Sequence, residues 1–306
     1  APKKIKKIAV IGSGPAGLAA SITARNRGFE VSLFEIKDLI GGQLNLASKI
    51  PGKEEFIGLL EYYNNEILRL GINLYLNYEV TISELRLFDE VIVATGVTPR
   101  DVNFKVTDAS KVVSYIDILN GTILAGKNVA ILGAGGIGFD VAQFLVSDKT
   151  SSTLNLPKWL LEWGVVDPEL VRGGVRPKGL ELSLPNREVS LFQRKNEKIG
   201  RRLGKTTGWI HRESLRKKHV KMISGVKYEK ISSEGLTLSY VDLEKDQETL
   251  AFDTIIVCVG QEPERTLFDK LLDKDISSHV IGGANIAAEL DAKQAIDQGT
   301  RLVLSF

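Results

Sequence analysis

Two glycine-rich turns with the same spacing constrain this sequence more than any other feature. Each turn follows a short run of β-branched residues and precedes a segment with the composition of a helix. In such a turn the first glycine permits the tight bend, the second lets the backbone approach a pyrophosphate, and the third lets the helix pack closely on the strand. The spacing therefore predicts two dinucleotide-binding strand–turn–helix units. The turns are Gly12-Ser13-Gly14-Pro15-Ala16-Gly17 and Gly133-Ala134-Gly135-Gly136-Ile137-Gly138.

The pattern around the first turn recurs around the second. A further apolar run follows each turn, at residues 30–34 and 189–192, and a later apolar run leads to a glycine at residues 90–96 and 254–260. Strands that alternate with helices are typical of parallel sheets. Two such cycles in 306 residues predict an α/β fold of two doubly wound Rossmann-type domains in a disulfide-reductase-like arrangement.

An acidic residue accompanies the first turn. Glu35 follows the second apolar run, eighteen residues after Gly17, where a carboxylate accepts hydrogen bonds from the ribose hydroxyls and repels a 2′-phosphate. We assign this first site to FAD, with its pyrophosphate at the start of the helix. The predicted FAD contacts at the turn and strand end are Gly12, Gly14, Pro15, Ala16, Gly17 and Glu35.

Cations take the place of that acid in the second cycle. The corresponding apolar run leads into Gln193, Arg194 and Lys195. A guanidinium binds a phosphate through paired hydrogen bonds, and a neighbouring lysine adds charge. This favours NADPH over NADH, although a solvated basic turn would have the same composition. The predicted NADPH contacts are Gly133, Gly135, Gly136, Ile137, Gly138, Arg194 and Lys195.

Four shorter segments are weaker candidates for cofactor contact. Paired glycines and strand-ending glycines occur where backbone comes close to a ligand, but they also fit ordinary surface turns. A helix after the last glycine pair could direct its N-terminus at the flavin pyrimidine and stabilise negative charge there. These candidates are Gly42, Gln43, Thr95, Gly96, Gly260, Gln261, Gly282 and Gly283.

We expect the first domain to be discontinuous. Residues 281–306 contain a third glycine turn, a helix predicted at about residues 286–298 and an apolar end, and they are too short to fold alone. We therefore place them with the first domain. The predicted domains are residues 1–106 and 262–306 for FAD and residues 107–261 for NADPH, with an insertion of unknown role at about residues 147–185.

Composition and cysteine content exclude several classes of protein. The single cysteine, Cys258, cannot form an intramolecular disulfide, a CxxC pair or a four-thiolate iron–sulfur site. The three histidines lack metal-ligand spacing, so no metal site is predicted. A net charge of +2 disfavours nucleic-acid binding, and no uncharged apolar run reaches the ~18 residues of a membrane span. Because no signal-peptide core follows the basic residues 1–7, the expected location is cytoplasmic.

Five longer strings accompany the glycine turns. They are Ile50-Pro51-Gly52-Lys53-Glu54-Glu55-Phe56, Gly135-Gly136-Ile137-Gly138-Phe139-Asp140, Leu203-Gly204-Lys205-Thr206-Thr207-Gly208-Trp209-Ile210-His211-Arg212, Gly260-Gln261-Glu262-Pro263 and Glu289-Leu290-Asp291-Ala292. Together with Glu162-Trp163-Gly164 in the insertion, they resemble the C-terminal flavin-and-nucleotide half of the bacterial NADPH-dependent 2,4-dienoyl-CoA reductases. That family lies in the trimethylamine-dehydrogenase-like branch of the old yellow enzyme group, and the resemblance covers essentially all 306 residues.

The resemblance implies a chain of electron transfers. In that family NADPH reduces FAD, and electrons then pass singly through a [4Fe–4S] cluster to FMN in a TIM barrel, where an unsaturated acyl-CoA of fatty acid β-oxidation is reduced. This chain would perform the first step only. The FMN and iron–sulfur barrel would be a missing N-terminal part, since position 1 is alanine, or a separate chain. Gly283 stands where the wider fold usually has a flavin-binding aspartate.

The sequence thus predicts an NADPH:FAD oxidoreductase module in which hydride passes from nicotinamide C4 to flavin N5. Such a transfer depends on positioning more than on a protein acid or base, so no catalytic side chain is assigned. Three other interpretations fit the sequence less well. They are a stand-alone reductase of a separate electron carrier, a non-catalytic module that holds an ADP-type nucleotide, and a nucleic-acid binder built on the basic residues 194–218.

Overall fold

The structure, a computed structural model, describes residues 5–148, 150–176, 185–241, 247–288 and 291–306. Its strands, β1 to β16 in chain order, are Lys7–Ile11, Glu30–Phe34, Asn73–Tyr75, Glu90–Val93, Val97–Pro99, Lys105–Val106, Val112–Ser114, Asn128–Leu132, Glu188–Gln193, Lys221–Ser224, Val226–Ser232, Gly235–Tyr240, Glu248–Leu250, Thr254–Val257, Gln261–Pro263 and Ser278–Val280. Its α-helices, α1 to α10, are Pro15–Asn26, Leu44–Ala47, Phe56–Leu70, Ile82–Leu85, Tyr115–Asn120, Gly136–Val146, Leu156–Trp163, Gly208–Lys217, Thr266–Leu272 and Ala292–Leu304. None of these helices combines the length and the apolar character that crossing a membrane requires.

These elements form two compact units. The first comprises Ala1–Ser48, Glu55–Arg100 and Gln261–Phe306, and the second comprises Lys49–Glu54 and Asp101–Gly260. Each unit contains a parallel sheet with packed helices, so the predicted α/β class with Rossmann-type parallel sheets is confirmed. The domain boundaries and the cofactor assigned to each domain stay predictions. The structure groups residues 49–54 with the second unit and Gln261 with the first.

The first unit is built on a five-stranded parallel sheet in the order β16-β4-β1-β2-β3. β1 lies at its centre because residues 8–11 are apolar and buried, and its last residue, Ile11, lies beside Phe34 and Val93. Apolar side chains of α1, α3 and α10 pack in one core cluster, and those of α4 and α9 pack in another. The carboxyl ends of β1, β2 and β4 therefore meet at one edge, where sheets of this kind bind ligands.

The second unit repeats this plan with a parallel sheet in the order β10-β9-β8-β14-β7. Leu132, at the end of β8, lies beside Phe192 and Val257, as Ile11 does beside its two neighbours. A second sheet, in the order β13-β12-β11-β6, shares an apolar core with the first. The described part of the predicted insertion contains a 3₁₀ turn at Ser152–Leu154 and α7. Residues 149 and 177–184 of the insertion lie outside the described residues.

The last helix differs from the prediction. It was expected at about residues 286–298, but α10 begins at Ala292 and ends at Leu304. The side chain of Asp291 caps it by accepting a hydrogen bond from the backbone N–H of Gln294, and a 3₁₀ turn at Gly282–Ala284 precedes it. Residues 289 and 290 lie outside the described residues. The predicted start was wrong because Asp291, several residues beyond the glycine turn, is the residue that caps the helix.

Close packing of α10 against α1 gives a stability prediction. A Cβ built on Gly299 would lie 2.3 Å from the carbonyl oxygen of Ala16, so a side chain there forces the two backbones apart. We expect Gly299→Ala to lower the free energy of unfolding by about 1–3 kcal/mol, measured by urea denaturation. Gly58→Ala, inside α3, is the matched control, because a Cβ on Gly58 meets no atom within 4 Å.

For this control, the better helix propensity of alanine is expected to raise stability by about 0.5–1 kcal/mol. A Gly299→Ala variant as stable as the wild-type chain would contradict the packing of α10 on α1.

Candidate functional site

The first glycine turn lies at the carboxyl edge of the first unit's sheet. Gly12 has a φ of +99° and donates its N–H to the carbonyl of Phe34 at 2.8 Å. A Cβ built on Gly17 would lie only 1.9 Å from the carbonyl oxygen of Gly12. Glycine is therefore required at both positions, and α1 begins directly against the end of β1.

The N-terminus of α1 is open to a ligand. Gly14 is its N-cap and provides no side-chain cap, Pro15 opens the helix, and the first turn contains no acidic residue. A Cβ built on Gly14 meets no atom within 4 Å. By contrast, four other helices are capped by their own side chains, from Thr81, Ser114, Asn155 and Asp291. The free N–H groups and positive end of α1 therefore suit an anion such as pyrophosphate.

Glu35 is fixed beside this helix end. It is only 8% exposed, and its Oε2 accepts hydrogen bonds from Ser13 N and Ser13 Oγ at 2.8 and 2.7 Å. Its Oε1 accepts from Lys37 N at 3.0 Å. A carboxylate has about four lone-pair sites, so at least one remains for a hydroxyl donor. The chemistry of this residue fits the ribose of a dinucleotide.

Gly42 is the second backbone segment at this edge. Its φ is +53°, and a Cβ built on it would lie 3.1 Å from Cα of Gly14. The neighbouring Gly41 donates its N–H to the carbonyl of Ser13 at 2.8 Å, which holds the loop against the turn. Gln43 follows and is exposed. The structure thus brings the predicted Gly42 to the start of α1.

The last glycine pair reaches the same edge. A Cβ built on Gly282 would lie 2.8 Å from the Cβ of Ala16, and one on Gly283 would lie 2.6 Å from Cγ1 of Val97 and 3.1 Å from the carbonyl carbon of Gly96. An aspartate at position 283 would therefore not fit unless Val97 moved. Thr95, before Gly96, uses its hydroxyl to donate to the carbonyl of Glu264 at 2.6 Å.

The second unit reproduces the turn geometry. Gly133 has a φ of +109° and donates to the carbonyl of Phe192 at 2.9 Å, and a Cβ on Gly138 would lie 1.9 Å from the carbonyl oxygen of Gly133. Gly135 is the N-cap of α6 without a side-chain cap. Cβ atoms built on Gly135 and Gly136 meet no atom within 4 Å. Ile137, in the first turn, is half-buried.

Gly260 and Gln261 lie where the chain leaves the second unit. Gly260 has a φ of +117° and follows Cys258, whose carbonyl oxygen would lie 2.2 Å from a Cβ built on Gly133. Gln261 pairs with Pro99 in the first unit. Cys258 itself is buried, and burial raises the pKa of its thiol. It is therefore an unreactive structural residue.

The cations predicted to read the coenzyme are exposed. Arg194 and Lys195 follow β9, and neither side chain makes a hydrogen bond or ion pair within the described part of the chain. Burial raises the pKa of the neighbouring Tyr228, and the charge of Arg194 opposes that change. Both cations are thus available to a phosphate at the carboxyl edge of the second sheet.

The ion pair between Lys53 and Asp140 was not predicted from the sequence. Nζ of Lys53 lies 2.8 and 2.6 Å from the two carboxylate oxygens of Asp140 on α6. His211 of α8 is half-buried beside them. Burial lowers its pKa, the charge of Lys53 lowers it further, and Asp140 acts in the opposite direction. All three residues occur in the longer strings quoted above, and this shared occurrence was the only sequence signal for their contact. The pair fastens residues 49–54 to the second unit.

No cluster of three or more histidine, cysteine, aspartate or glutamate side chains suited to a metal ion occurs among the residues that the structure describes. Both candidate sites consist of glycine backbone, an uncapped helix start and strand-end side chains, a set of groups whose chemistry suits phosphate and ribose.

A family model described as pyridine nucleotide-disulphide oxidoreductase matches residues 6–279. The chain is 29% identical over 284 residues to a metal reductase of Desulforamulus reducens, covering 91% of this chain and 41% of that protein. It is 31% identical over 284 residues to an N,N-dimethylglycine/sarcosine dehydrogenase of Chromohalobacter salexigens, covering 88% of this chain and 35% of that protein. The chain therefore spans between about one third and two fifths of the length of these relatives.

Solved structures share the fold. A 2-naphthoyl-CoA reductase matches 99% of this chain with 40% of its own, at a TM-score of 0.79 and 24% identity. The thioredoxin reductase of T. acidophilum matches 99% of this chain with 98% of its own, at a TM-score of 0.65 and 14% identity. At these identities the likeness concerns the fold alone, and it agrees with the predicted fold class.

The contacts of His211 give a prediction for its titration. Lys53→Met removes the cation that disfavours protonation and leaves the Asp140 carboxylate unpaired, so the pKa of His211 is expected to rise. NMR titration of the imidazole C–H signals measures it. Lys198→Met, at an exposed lysine of the same unit, is the control and should leave the pKa of His211 as it is in the wild-type chain. A His211 pKa that stays constant or falls would show that Lys53 does not act on it.

Proposed function

This chain belongs to the pyridine nucleotide-disulphide oxidoreductase family, and we propose that it is the NADPH:FAD oxidoreductase module of a larger flavoenzyme. The observation that supports this most is a difference between two glycine turns of equal geometry. The acid Glu35 lies at the strand end beside the first, and the exposed cations Arg194 and Lys195 lie at the strand end beside the second.

The proposed FAD site lies in the first unit. The uncapped start of α1 would hold the pyrophosphate, with Gly14 and Gly42 leaving room for close approach. Glu35 would accept from the ribose. Gly96, Gly282 and their neighbours Thr95 and Gly283 would line the remainder of the cofactor site. Because Gly283 replaces the usual aspartate, backbone groups rather than a carboxylate would face the ribityl chain.

The proposed NADPH site lies in the second unit. Gly135 and Gly136 would admit the pyrophosphate at the start of α6, and Ile137 and Gly138 would hold that helix in place. Arg194 and Lys195 would bind the 2′-phosphate, since the exposed guanidinium has no hydrogen-bond or ion-pair partner among the described residues and its donors can face a ligand. Gly260 and Gln261 would lie near the path of the coenzyme.

When bound, the two dinucleotides would supply the chemistry, a hydride transfer from nicotinamide to flavin. The residues of the chain contribute binding and orientation, and no side chain is assigned as an acid or base. A disulfide within these 306 residues takes no part, because they contain one cysteine and it is buried. Electrons would therefore leave to an acceptor other than a cysteine pair of this chain.

We assign that acceptor to an FMN and iron–sulfur barrel, and the final reaction to reduction of a 2,4-dienoyl-CoA. The resemblance of the longer strings to the 2,4-dienoyl-CoA reductases supports the assignment. The length of the relatives supports it as well, because this chain covers only 41% and 35% of two of them. The location proposed for such an enzyme is the cytoplasm.

Reciprocal glycine substitutions test the two cofactor assignments. Gly14→Ala and Gly135→Ala place a methyl group in open space, so folding is expected to be unchanged while the facing pyrophosphate is excluded. We expect Gly14→Ala to weaken FAD binding about tenfold or more and to leave NADPH binding unchanged, with the reverse for Gly135→Ala. Fluorescence titration with FAD and calorimetry with NADPH measure the two affinities. Equal losses of both ligands in either variant would contradict the assignment of one dinucleotide to each turn.

Substitution of the exposed arginine tests the choice of coenzyme. In anaerobic titrations of the FAD-supplemented protein, NADPH should bleach the flavin band at lower concentration than NADH. Arg194→Ala is expected to reduce this preference about ten- to hundredfold, because it removes charge-assisted hydrogen bonds to phosphate. Arg172→Ala, another exposed arginine of the second unit, is the control. An unchanged preference would show that Arg194 does not bind the phosphate, and a flavin that NADPH cannot bleach would contradict the reductase function.

A further inference from the structure

The two units place different residues at one equivalent position. Gly12 donates its N–H to Phe34 at 2.8 Å, and Gly133 donates to Phe192 at 2.9 Å. The residue after each acceptor therefore stands at the same point of its sheet, next to its glycine turn. In the first unit that residue is Glu35, and in the second it is Gln193.

These two side chains make opposite hydrogen bonds. The carboxylate of Glu35 only accepts, and two of its bonds come from Ser13. The second turn has Ala134 in place of Ser13, so it has no hydroxyl to offer. The amide of Gln193 instead donates through Nε2 to the carbonyl oxygens of Lys195 and Glu197, at 3.0 and 2.9 Å.

Those two bonds brace the turn that presents the cations. The carbonyl of Lys195 also accepts from the backbone N–H groups of Glu197 at 2.9 Å and Gly225 at 3.3 Å. Its position is thus fixed by one side chain and two backbone donors. The side chains of Arg194 and Lys195 remain exposed above this braced backbone, without hydrogen-bond or ion-pair partners among the described residues.

We infer that Gln193 is a positioning residue that sets the coenzyme preference of the second site by bracing the turn that holds Arg194 and Lys195. The inference rests on the proposed function and deepens it. A neutral amide at the strand end removes the repulsion that a carboxylate would exert on a 2′-phosphate. The same amide supplies two donors that a carboxylate lacks, since a glutamate there would face two carbonyl oxygens.

Two substitutions separate the brace from the charge. Gln193→Met keeps the length of the side chain and its neutrality but removes both donors, so it tests the brace alone. Gln193→Glu removes the donors and adds the negative charge. Gln247→Met, at an exposed glutamine of the same unit, is the matched control.

Calorimetric titration of the full chain with NADP⁺ and with NAD⁺ gives the ratio of the two dissociation constants without any need for turnover. Gln193→Met is expected to lower the preference for NADP⁺ about three- to tenfold, through weaker NADP⁺ binding with NAD⁺ binding unchanged. Gln193→Glu is expected to lower it further, roughly thirtyfold or more, because repulsion is added to the lost brace. Gln247→Met should retain the wild-type ratio.

The outcomes distinguish this inference from the function it rests on. A wild-type chain that shows no preference for NADP⁺ would contradict the proposed function and the inference together. A wild-type preference that survives in Gln193→Met would overturn the inference alone. Equal weakening of NADP⁺ and NAD⁺ would also overturn it, because a purely structural role affects both. If Gln193→Met failed to fold, the ratio of the two dissociation constants would be measured in Gln193→Glu instead. A wild-type ratio in that variant would also overturn the inference.

Discussion

The approach of a helix to a strand end through glycine is the contact on which each unit depends. In both glycine turns the carbonyl of the first glycine lies where a Cβ on the third would come within 1.9 Å. Because that space is used, the helix starts directly at the carboxyl edge of the sheet, and its cap is a glycine without a side chain. Unpaired N–H groups at a helix start cost free energy unless something satisfies them. A bound anion would satisfy the N–H groups at the start of α1 and α6. The helix α10, which does not follow such a turn, is instead capped by the side chain of Asp291.

Local signals allowed most of the scaffold to be predicted. The strands before both glycine turns, Lys7–Ile11 and Asn128–Leu132, coincide with the apolar runs read from the sequence, because a buried central strand must be apolar on both faces. The start of α10 was missed because the prediction placed it soon after the glycine turn at 282–283 and did not use Asp291 as the N-terminal cap. A cap is as strong a boundary signal as a glycine, and Asp291 was the better one.

Long-range contacts could not be predicted in the same way. Lys53 and Asp140 are separated by 87 residues, and only the fold brings their side chains together. The crowding of Gly283 by Val97 likewise depends on a contact between distant segments. At the candidate sites, the sequence identified the residue types at the strand ends. The structure adds which of these side chains have hydrogen-bond partners among the described residues. Glu35 accepts hydrogen bonds from Ser13, while the side chain of Arg194 has no hydrogen-bond or ion-pair partner in the described part of the chain. The binding of the cofactors by these residues stays a prediction.

Two sites with the same backbone geometry can bind different coenzymes, because the backbone provides affinity and the strand-end side chains provide selectivity. The glycine turn and helix end recognise a pyrophosphate that all dinucleotides share, so they confer affinity without choice. In the proposed function, choice comes from the charge at the strand end, because a hydrogen bond to a charged group contributes about 1.5–3 kcal/mol. A single position can therefore outweigh the rest of the site in deciding which coenzyme binds.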